Sequence, residues 1–273
     1  MTLWQAIVLG VVQGLTEFLP ISSTAHLKIV PALLGWGDPG AAYSAVIQLG
    51  TVGAVLVYFA GDLGRLARGF WKGLVDRKPW DTLESRLAWF VGVGTLPIGV
   101  AGLLFKKAIE TTLRSLYVIS ASLILLAVVL FIVERAAKHV RTLKDMTLRD
   151  GVVIGLWQAL ALIPGSSRSG TTITGGLSLG FTREDAARYS FLLSIPATTL
   201  AGLFELKHLL EAAERPSTLV LVVGTAVSFG AGLLAIHGLL RFLRTRSTLV
   251  FIVYRLALGA FLLGLLSAGV LQP

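Results

Sequence analysis

The chain has 273 residues, of which 55% are hydrophobic and only 14% are charged. Soluble domains carry about a quarter charged residues, so this composition excludes a water-soluble surface and predicts an all-α integral membrane protein. The net charge of +9 would suggest nucleic-acid binding in a soluble chain. In a membrane protein, basic cytoplasmic loops explain it, and we expect no nucleic acid partner. The chain has no Cys, which excludes disulfides and thiolate metal sites.

Six apolar segments are long enough, or nearly so, to cross a bilayer, which takes about 20 residues. In chain order they are 42–60, 87–105, 116–133, 189–206, 219–240 and 248–268. Two further apolar regions are interrupted by Pro and Ser, at residues 20–24 and 164–169. Their arms are short, so we predict two re-entrant helical hairpins. Non-helical backbone at membrane depth is tolerated only inside protein or beside water, so both breaks mark candidate sites.

The two halves of the sequence resemble each other. Gln13 matches Gln158, and the Pro-x-Ser-Ser run that begins at Pro20 matches the run that begins at Pro164. The offsets are 145 and 144 residues, so one register links several matches of polar residues and prolines. We predict one membrane domain over 1–273, made of a first repeat at 1–145 and a second at 146–273.

Each predicted repeat holds one hairpin and three crossings. Because three is odd, the second repeat must be inverted relative to the first, which is the architecture of many transporters. With the N-terminus outside, 16 of the 24 Lys and Arg fall in inside loops and six fall outside. The positive-inside rule therefore favours this topology, in which the first hairpin enters from outside.

The second hairpin tip carries groups suited to an anion. Two helix N-termini that face one point offer free N–H groups and positive dipole ends, which suit a phosphate. Arg168 adds a permanent charge with a planar fork, and such a charge inside an apolar hairpin is costly unless it serves a function. We expect Ser169 to cap the helix after Gly170. The predicted phosphate-binding residues of this tip are Gly165, Ser166, Ser167, Ser169 and Thr172.

The first hairpin carries titratable groups. Gln13 and Glu17 are four residues apart and share a helix face. His26 follows Ser23 by three residues, close enough on a first helical turn for a hydroxyl–imidazole contact. One tip therefore supplies acid–base groups and the other an anion clamp. The predicted catalytic residues are Glu17, Ser23, His26 and Arg168, and the predicted substrate-binding residues of the first tip are Gln13, Ser22 and Thr24.

Two motifs resemble a known family. Residues 13–26, Gln-Gly-Leu-Thr-Glu-Phe-Leu-Pro-Ile-Ser-Ser-Thr-Ala-His, and 164–172, Pro-Gly-Ser-Ser-Arg-Ser-Gly-Thr-Thr, resemble the signature motifs of the undecaprenyl-pyrophosphate phosphatases, the bacitracin-resistance family. The likeness covers nearly the whole chain, including 189–196, Tyr-Ser-Phe-Leu-Leu-Ser-Ile-Pro. Ala25 replaces a common glycine, and Gln13 stands where many members have Glu. Glu17 is then the one carboxylate of its motif.

The resemblance implies hydrolysis of undecaprenyl pyrophosphate to undecaprenyl phosphate and inorganic phosphate, which recycles the lipid carrier for cell-wall synthesis. It also implies a multi-pass protein of the bacterial inner membrane whose site opens toward the periplasmic face. Ser23 is the candidate nucleophile with His26 as its base, and a water activated by Glu17 or His26 is the alternative. Mg²⁺ or Ca²⁺ could bridge Glu17 and the pyrophosphate, because oxygen ligands suit both ions.

The rival hypothesis is a transporter or flippase of an anionic polyprenyl-phosphate lipid, since inverted repeats with broken helices are typical of transporters. A carrier needs Arg168 but has no need for Glu17, Ser23 and His26 together. The sequence leaves the oligomeric state open, a homodimer included. It also leaves open whether Arg255, in the last span, meets a buried carboxylate, backbone carbonyls at a hairpin or the substrate.

Overall fold

The computed structural model describes residues 1–211 and 216–271, so Arg215, one of the six predicted outside cations, lies outside the described residues. Over these ranges the regular structure is helical, apart from one isolated β-bridge between Arg141 and Phe181. The α-helices are α1 Leu3–Phe18, α2 Ser23–Leu34, α3 Gly40–Tyr58, α4 Ala60–Val75, α5 Leu83–Leu104, α6 Lys106–Glu110, α7 Leu116–Ala136, α8 Leu148–Ala159, α9 Arg168–Ser178, α10 Arg183–Glu211, α11 Thr218–Leu243 and α12 Leu249–Ser267.

The predicted crossings coincide with long apolar helices. Five of them, α5, α7, α10, α11 and α12, are long and apolar enough to cross a membrane, and the bent pair of α3 and α4 gives a sixth candidate. The prediction of an all-helical, multi-pass membrane protein is therefore confirmed. The helix α10 begins six residues before the predicted segment. Its first turn contains Arg183, Glu184 and Asp185, so that turn is not part of the apolar segment.

Each interrupted region forms two short helices that pack against each other, α1 with α2 and α8 with α9. The shorter arms have 11 and 12 residues. At 1.5 Å per residue such an arm extends about 18 Å, well short of a hydrocarbon core of about 30 Å. These shorter arms are therefore not long enough by themselves to cross the hydrocarbon core.

Two serines with unusual backbone conformations begin the second arms. Ser22 caps α2 and Ser167 caps α9, and each hydroxyl accepts a hydrogen bond from the N–H three residues later. Their φ angles, 75° and 69°, are uncommon for residues other than Gly, and such strain is concentrated at functional sites. The prediction that Ser169 caps α9 is wrong, because the chain turns into the helix two residues earlier.

Long helices hold both hairpins in place. The helix α1 packs against α11, and α8 packs against α5, while α3 packs against α10 and α7 against α12. Gly14 lies so close to α11 that a Cβ there would stand 2.6 Å from the carbonyl oxygen of Ser228, and Gly155 meets the backbone of Gly94 in α5 as closely. Small residues allow this approach between membrane helices. The hairpins are therefore fixed by backbone-to-backbone contact.

Arg141 anchors the base of the second hairpin. Its guanidinium donates to both carboxylate oxygens of Asp150 at 3.1 and 2.7 Å and to the carbonyl oxygen of Leu179 at 2.9 Å. It also lies over the ring of Phe181, 4.5 Å from the ring centroid. These contacts join the start of α8 to the end of α9, so both arms of the hairpin leave from one fixed base.

Candidate active site

The two hairpin tips meet at a cavity of about 200 Å³. The part of this cavity nearest the tips is lined by Glu17, Ser22, Ser23, Thr24, Gln48, Gly165, Ser167 and Arg168. A second cavity of about 300 Å³ shares Ser23, Thr24 and Gln48 with the first and extends past Gln13 and Lys28. The first residues of α2 and α9 therefore face one space, as predicted, and their backbone N–H groups have no acceptor within their own helices.

Glu17 is the centre of the polar network and is buried. Its Oε1 accepts hydrogen bonds from Arg168 Nη2 at 2.7 Å and from Gln48 Nε2 at 2.8 Å. Its Oε2 accepts from Ser23 Oγ at 2.7 Å and from Gln13 Nε2 at 2.9 Å. All four neighbours donate, so the carboxylate is an ionised acceptor that joins the first tip to the second.

Arg168 is the first residue of α9 and reaches from the second tip to the first. Besides its bond to Glu17, it donates through Nη1 to the carbonyl oxygen of Ser190 at 3.3 Å. Its Nε is buried and has no hydrogen-bond partner among the described residues. A buried donor without an acceptor is costly, so Arg168, which lines the cavity, keeps hydrogen-bonding capacity that these protein groups do not use.

Ser23 occupies the corresponding position at the start of α2. Its side chain is half-buried, lines both cavities and donates to Glu17. Among the described side chains its hydroxyl is bonded to Glu17 and not to His26. A serine whose proton already points at a carboxylate, beside an open cavity, has the arrangement of an activated nucleophile.

His26 lies behind the tip and bonds elsewhere. Its Nδ1 lies 2.7 Å from the carbonyl oxygen of Ser22, and its Nε2 lies 2.6 Å from the hydroxyl of Tyr254. The ring stacks on Tyr254 with centroids 5.6 Å apart. A carbonyl only accepts, so Nδ1 carries a proton, and in the neutral ring Nε2 accepts from the tyrosine. The predicted contact between His26 and Ser23 is not made, because both ring nitrogens are already bonded.

The remaining predicted residues divide into two groups. Four of them, Ser22, Thr24, Gly165 and Ser167, line the cavity of about 200 Å³, here called the inner cavity. Gln13 lines the cavity of about 300 Å³, the outer cavity. Ser166, Ser169 and Thr172 are fully buried and line neither. Ser169 Oγ donates to the carbonyl oxygen of Leu19 at 3.0 Å, which ties the second tip to the first, and Thr172 Oγ1 lies 2.6 Å from Ser190 Oγ. Substrate contact by these three residues stays a prediction.

Three contributors were not identified from the sequence. Gln48 of α3 donates a hydrogen bond to Glu17, and the hydroxyl of Tyr254 in α12 is hydrogen-bonded to His26. The backbone carbonyl of Ser190 accepts a hydrogen bond from Arg168. Gln48 carried a usable signal, because an amide inside an apolar span is costly without a partner. Tyr254 carried none, since it is 228 residues from His26 and a tyrosine in a span is unremarkable.

Arg255 is completely buried, and its partners answer the question left open by the sequence. Its Nη2 donates to the carbonyl oxygens of Ser166 at 3.0 Å, Gly165 at 3.3 Å and Ser122 at 3.4 Å. Gly165 has a φ of 90°, which a residue with a side chain would adopt only with strain. The guanidinium therefore meets backbone carbonyls and holds the second tip in its bent conformation.

A metal site built from protein groups alone is not present in the part of the chain that the structure describes. No group of three or more His, Asp or Glu side chains there could hold an ion. Glu17 is the acidic residue of the inner cavity, and each of its carboxylate oxygens already accepts two hydrogen bonds. An ion at this site would share Glu17 with oxygens of another molecule.

Comparison of the whole sequence with known proteins shows which family the chain belongs to. Residues 6–261 match the family described as Bacitracin resistance protein BacA. The chain belongs to this family. It is 70% identical to an undecaprenyl-diphosphatase of Myxococcus xanthus over all of its 273 residues, which cover 92% of that relative. It is 55% identical to an undecaprenyl-diphosphatase of Chloroherpeton thalassium, again over the whole chain and 99% of the relative.

Proposed function

We propose that this protein hydrolyses undecaprenyl pyrophosphate to undecaprenyl phosphate and inorganic phosphate. Its BacA-family relatives are named for this activity and match the whole chain. The observation that carries the assignment to residues is Glu17, which bonds Ser23 of one tip and Arg168 of the other in the same cavity. A nucleophile, a proton acceptor and a cation together suit phosphoryl transfer, whereas a carrier would need only the cation.

In the proposed reaction, Ser23 Oγ attacks the terminal phosphorus. The new bond joins Oγ to phosphorus, and the bond from that phosphorus to the bridging oxygen breaks, so undecaprenyl phosphate leaves. The hydroxyl proton passes to Oε2 of Glu17, which already accepts it at 2.7 Å. Water then attacks the phosphorus, the bond from phosphorus to Oγ breaks, and Oγ takes back the proton from Oε2 of Glu17. The atoms of the water stay with the inorganic phosphate that leaves, and both Ser23 and the Glu17 carboxylate are restored. The competing route has water attack directly, with Ser23 binding a phosphate oxygen.

Arg168 and the two helix N-termini stabilise the charge on the transferring group. Phosphoryl transfer depends mainly on positioning and electrostatic stabilisation, so preorganised donors matter most. Arg168 offers its unpartnered Nε, and the first turns of α2 and α9 offer N–H groups on both sides of the cavity. In this mechanism His26 is a positioning residue, which holds the Ser22 carbonyl and thereby the turn that carries Ser23.

A divalent cation is part of the proposal in a limited form. Mg²⁺ is commonly held by one or two carboxylates together with substrate phosphates, and Glu17 lines the cavity where those phosphates would lie. A bound Mg²⁺ or Ca²⁺ would neutralise phosphate charge. If Glu17 is a ligand, Glu17→Gln raises the Mg²⁺ concentration needed for half-maximal phosphate release, whereas an unchanged concentration removes Glu17 from any metal site.

The membrane architecture of the proposal is an inverted repeat with two re-entrant hairpins. It is supported by equivalent helix contacts in the two halves. The first hairpin helix α1 packs against α11 of the second half, and its counterpart α8 packs against α5, the counterpart of α11. It is supported further by the equivalent cap turns at Ser22 and Ser167. We place the protein in the bacterial inner membrane, with the site open to the periplasm. A homodimer stays a prediction.

The test is phosphate release by purified protein in detergent, where no second compartment exists. We expect wild type to release phosphate, and Ser23→Ala and Arg168→Ala to lose at least about a hundredfold, the scale of removing one charge-stabilising donor. Ser178→Ala and Arg149→Ala are matched controls outside the cavities and should retain wild-type rates. Absence of phosphate release in detergent, together with lipid translocation by the same protein in liposomes, would instead support the carrier.

A further inference from the structure

The helix α4 differs from its neighbours in length and direction. It has 16 residues, so it extends about 24 Å, and its axis turns by 76° from that of α3 at Phe59. Membrane-spanning helices tilt about 20° from the bilayer normal on average. A helix bent this far from a crossing lies close to the plane of the bilayer, at the end of the molecule where α3 leaves the membrane.

One side of α4 packs against the protein. Phe70 lies 5.1 Å from the ring of Trp89 in α5, and Gly73 is buried against α5. Leu63 and Leu66 pack on the main hydrophobic core. Asp62 faces the same way and accepts a hydrogen bond from Arg188 of α10 at 2.7 Å. These residues fall within about a third of the helical circumference at 100° per residue.

The exposed side of α4 divides into an apolar strip and a basic strip that lie next to each other. The apolar strip consists of Gly64, Ala67, Trp71, Leu74 and Val75, in which Trp71 is 65% and Val75 79% exposed. The basic strip consists of Arg65, Arg68 and Lys72, all exposed. The acid of α4, Asp62, is bonded both to Arg188 of α10 and to Arg65 of the basic strip. The outer surface of the helix is therefore basic along one edge, chiefly at Arg68 and Lys72, and apolar along the other.

We propose that α4 is an interfacial helix that binds anionic phospholipid headgroups. The apolar strip enters the boundary of the acyl chains, and the basic strip lies at the level of the phosphates. A helix with adjacent apolar and basic faces takes this position, and juxtamembrane Lys and Arg attract anionic lipids. Trp71 and the exposed Trp80 after the helix are the residue type enriched at this depth. The charge of the strip selects an anionic partner over a zwitterionic one.

The depth of α4 is directly measurable, because the chain has no Cys and a single introduced thiol is the only one to carry a nitroxide. We would compare labels at Val75→Cys and Lys72→Cys in liposomes by their accessibility to oxygen and to a water-soluble nickel complex. The references are Leu125→Cys, on the exposed face of α7, and Lys138→Cys, after α7. We expect the Val75 label to favour oxygen and the Lys72 label to favour nickel.

Two outcomes of that experiment overturn the proposal. A Val75 label as accessible to nickel as the one at Lys138 would put α4 in water. Dipolar broadening between Val75 labels on different molecules would show that a second copy of the chain covers the helix.

The selection of anionic lipid is tested with a charge-matched pair of double variants. We would measure the association of spin-labelled phosphatidylglycerol and phosphatidylcholine with the reconstituted protein. Wild type should prefer phosphatidylglycerol by about threefold or more. Arg68→Gln with Lys72→Gln should lose most of that preference, while Lys138→Gln with Arg149→Gln, which removes the same charge elsewhere, should keep it. Equal losses in both pairs, or no preference in wild type, would refute a headgroup site on α4.

Discussion

Ser23 and Arg168 donate to different oxygens of the Glu17 carboxylate, both at 2.7 Å. His26 is hydrogen-bonded to Ser22 and Tyr254 instead. In the proposed reaction the proton of Ser23 therefore passes to Glu17. Residues that act in one chemical step are strongly non-additive when removed together, and independent residues are additive in free energy. The mutational coupling of Glu17 with Ser23 therefore tests whether Glu17 is the base of that step.

We expect Glu17→Gln to lower kcat by about 10² to 10⁴, the range for general acid–base catalysis, because the amide cannot take the proton. Ser23→Ala combined with Glu17→Gln should be scarcely slower than the worse single variant. His26→Ala combined with Glu17→Gln should lose the product of the two single losses. Steady-state phosphate release measures all three. If Ser23→Ala combined with Glu17→Gln instead loses the product of the two single losses, Glu17 does not act with Ser23 in one step and our assignment is wrong.

What the sequence could predict at this scale follows from the cost of charge in lipid. Glu17 and Arg168 are costly at membrane depth, so their presence alone marked them as site residues, and both line the cavity. His26 was assigned a role by its spacing from Ser23, yet the direction of its ring depends on Tyr254 in α12. A partner that arrives from a distant helix leaves no local pattern, so the local contact was predicted incorrectly.

At the scale of helices, the bend of the second tip depends on a brace from outside the hairpin. Within the described part of the chain Arg255 pairs with no carboxylate, and its Nη2 donates to three carbonyl oxygens. We expect Arg255→Ala to lower both the melting temperature and kcat. The substitution removes the buried guanidinium, so the carbonyl oxygens of Gly165 and Ser166 lose their hydrogen-bond donor. Arg255→Lys should recover part of the stability but little activity, since one ammonium cannot span these carbonyls.

Thermal unfolding and phosphate release on the same detergent preparations measure these two effects. Arg246→Ala, an exposed arginine before α12, is the control and should change neither quantity. Wild-type kcat in Arg255→Ala at a temperature where it is folded would show that the tip keeps its shape without the brace.

Helix positions were predictable from hydropathy, whereas helix ends and bends were not. The six predicted crossings fall on five span-length apolar helices and the bent pair of α3 and α4, because about 20 apolar residues have one stable arrangement in lipid. The sequence alignment paired Ser22 with Ser166, but the capping geometry pairs Ser22 with Ser167. The second tip has one more residue between its proline and its cap, and only the backbone reveals where the helix begins.

For the whole molecule, the proposed topology places the N-terminus and the site outside. The cysteine-free chain allows a direct measurement with a membrane-impermeant maleimide on intact cells. We expect Thr111→Cys, before α7, to react without permeabilisation, and Lys144→Cys, before α8, to react only after it. Both positions are exposed, so access alone separates them. The reverse pattern would place the cavity on the cytoplasmic side and contradict the inference from charge.

Because Glu17 and Arg168 form a salt bridge, an anion can bind the same nitrogen of Arg168 only by replacing the Glu17 carboxylate. Arg168 already has a counter-ion 2.7 Å away, so a phosphate does not meet a bare cation but competes with a tethered carboxylate for it. A diphosphate carries more negative charge than the monophosphate that leaves, and it competes better. In the proposed reaction this competition would favour binding of the diphosphate over retention of the monophosphate, and Glu17 would again neutralise Arg168 once the product has left.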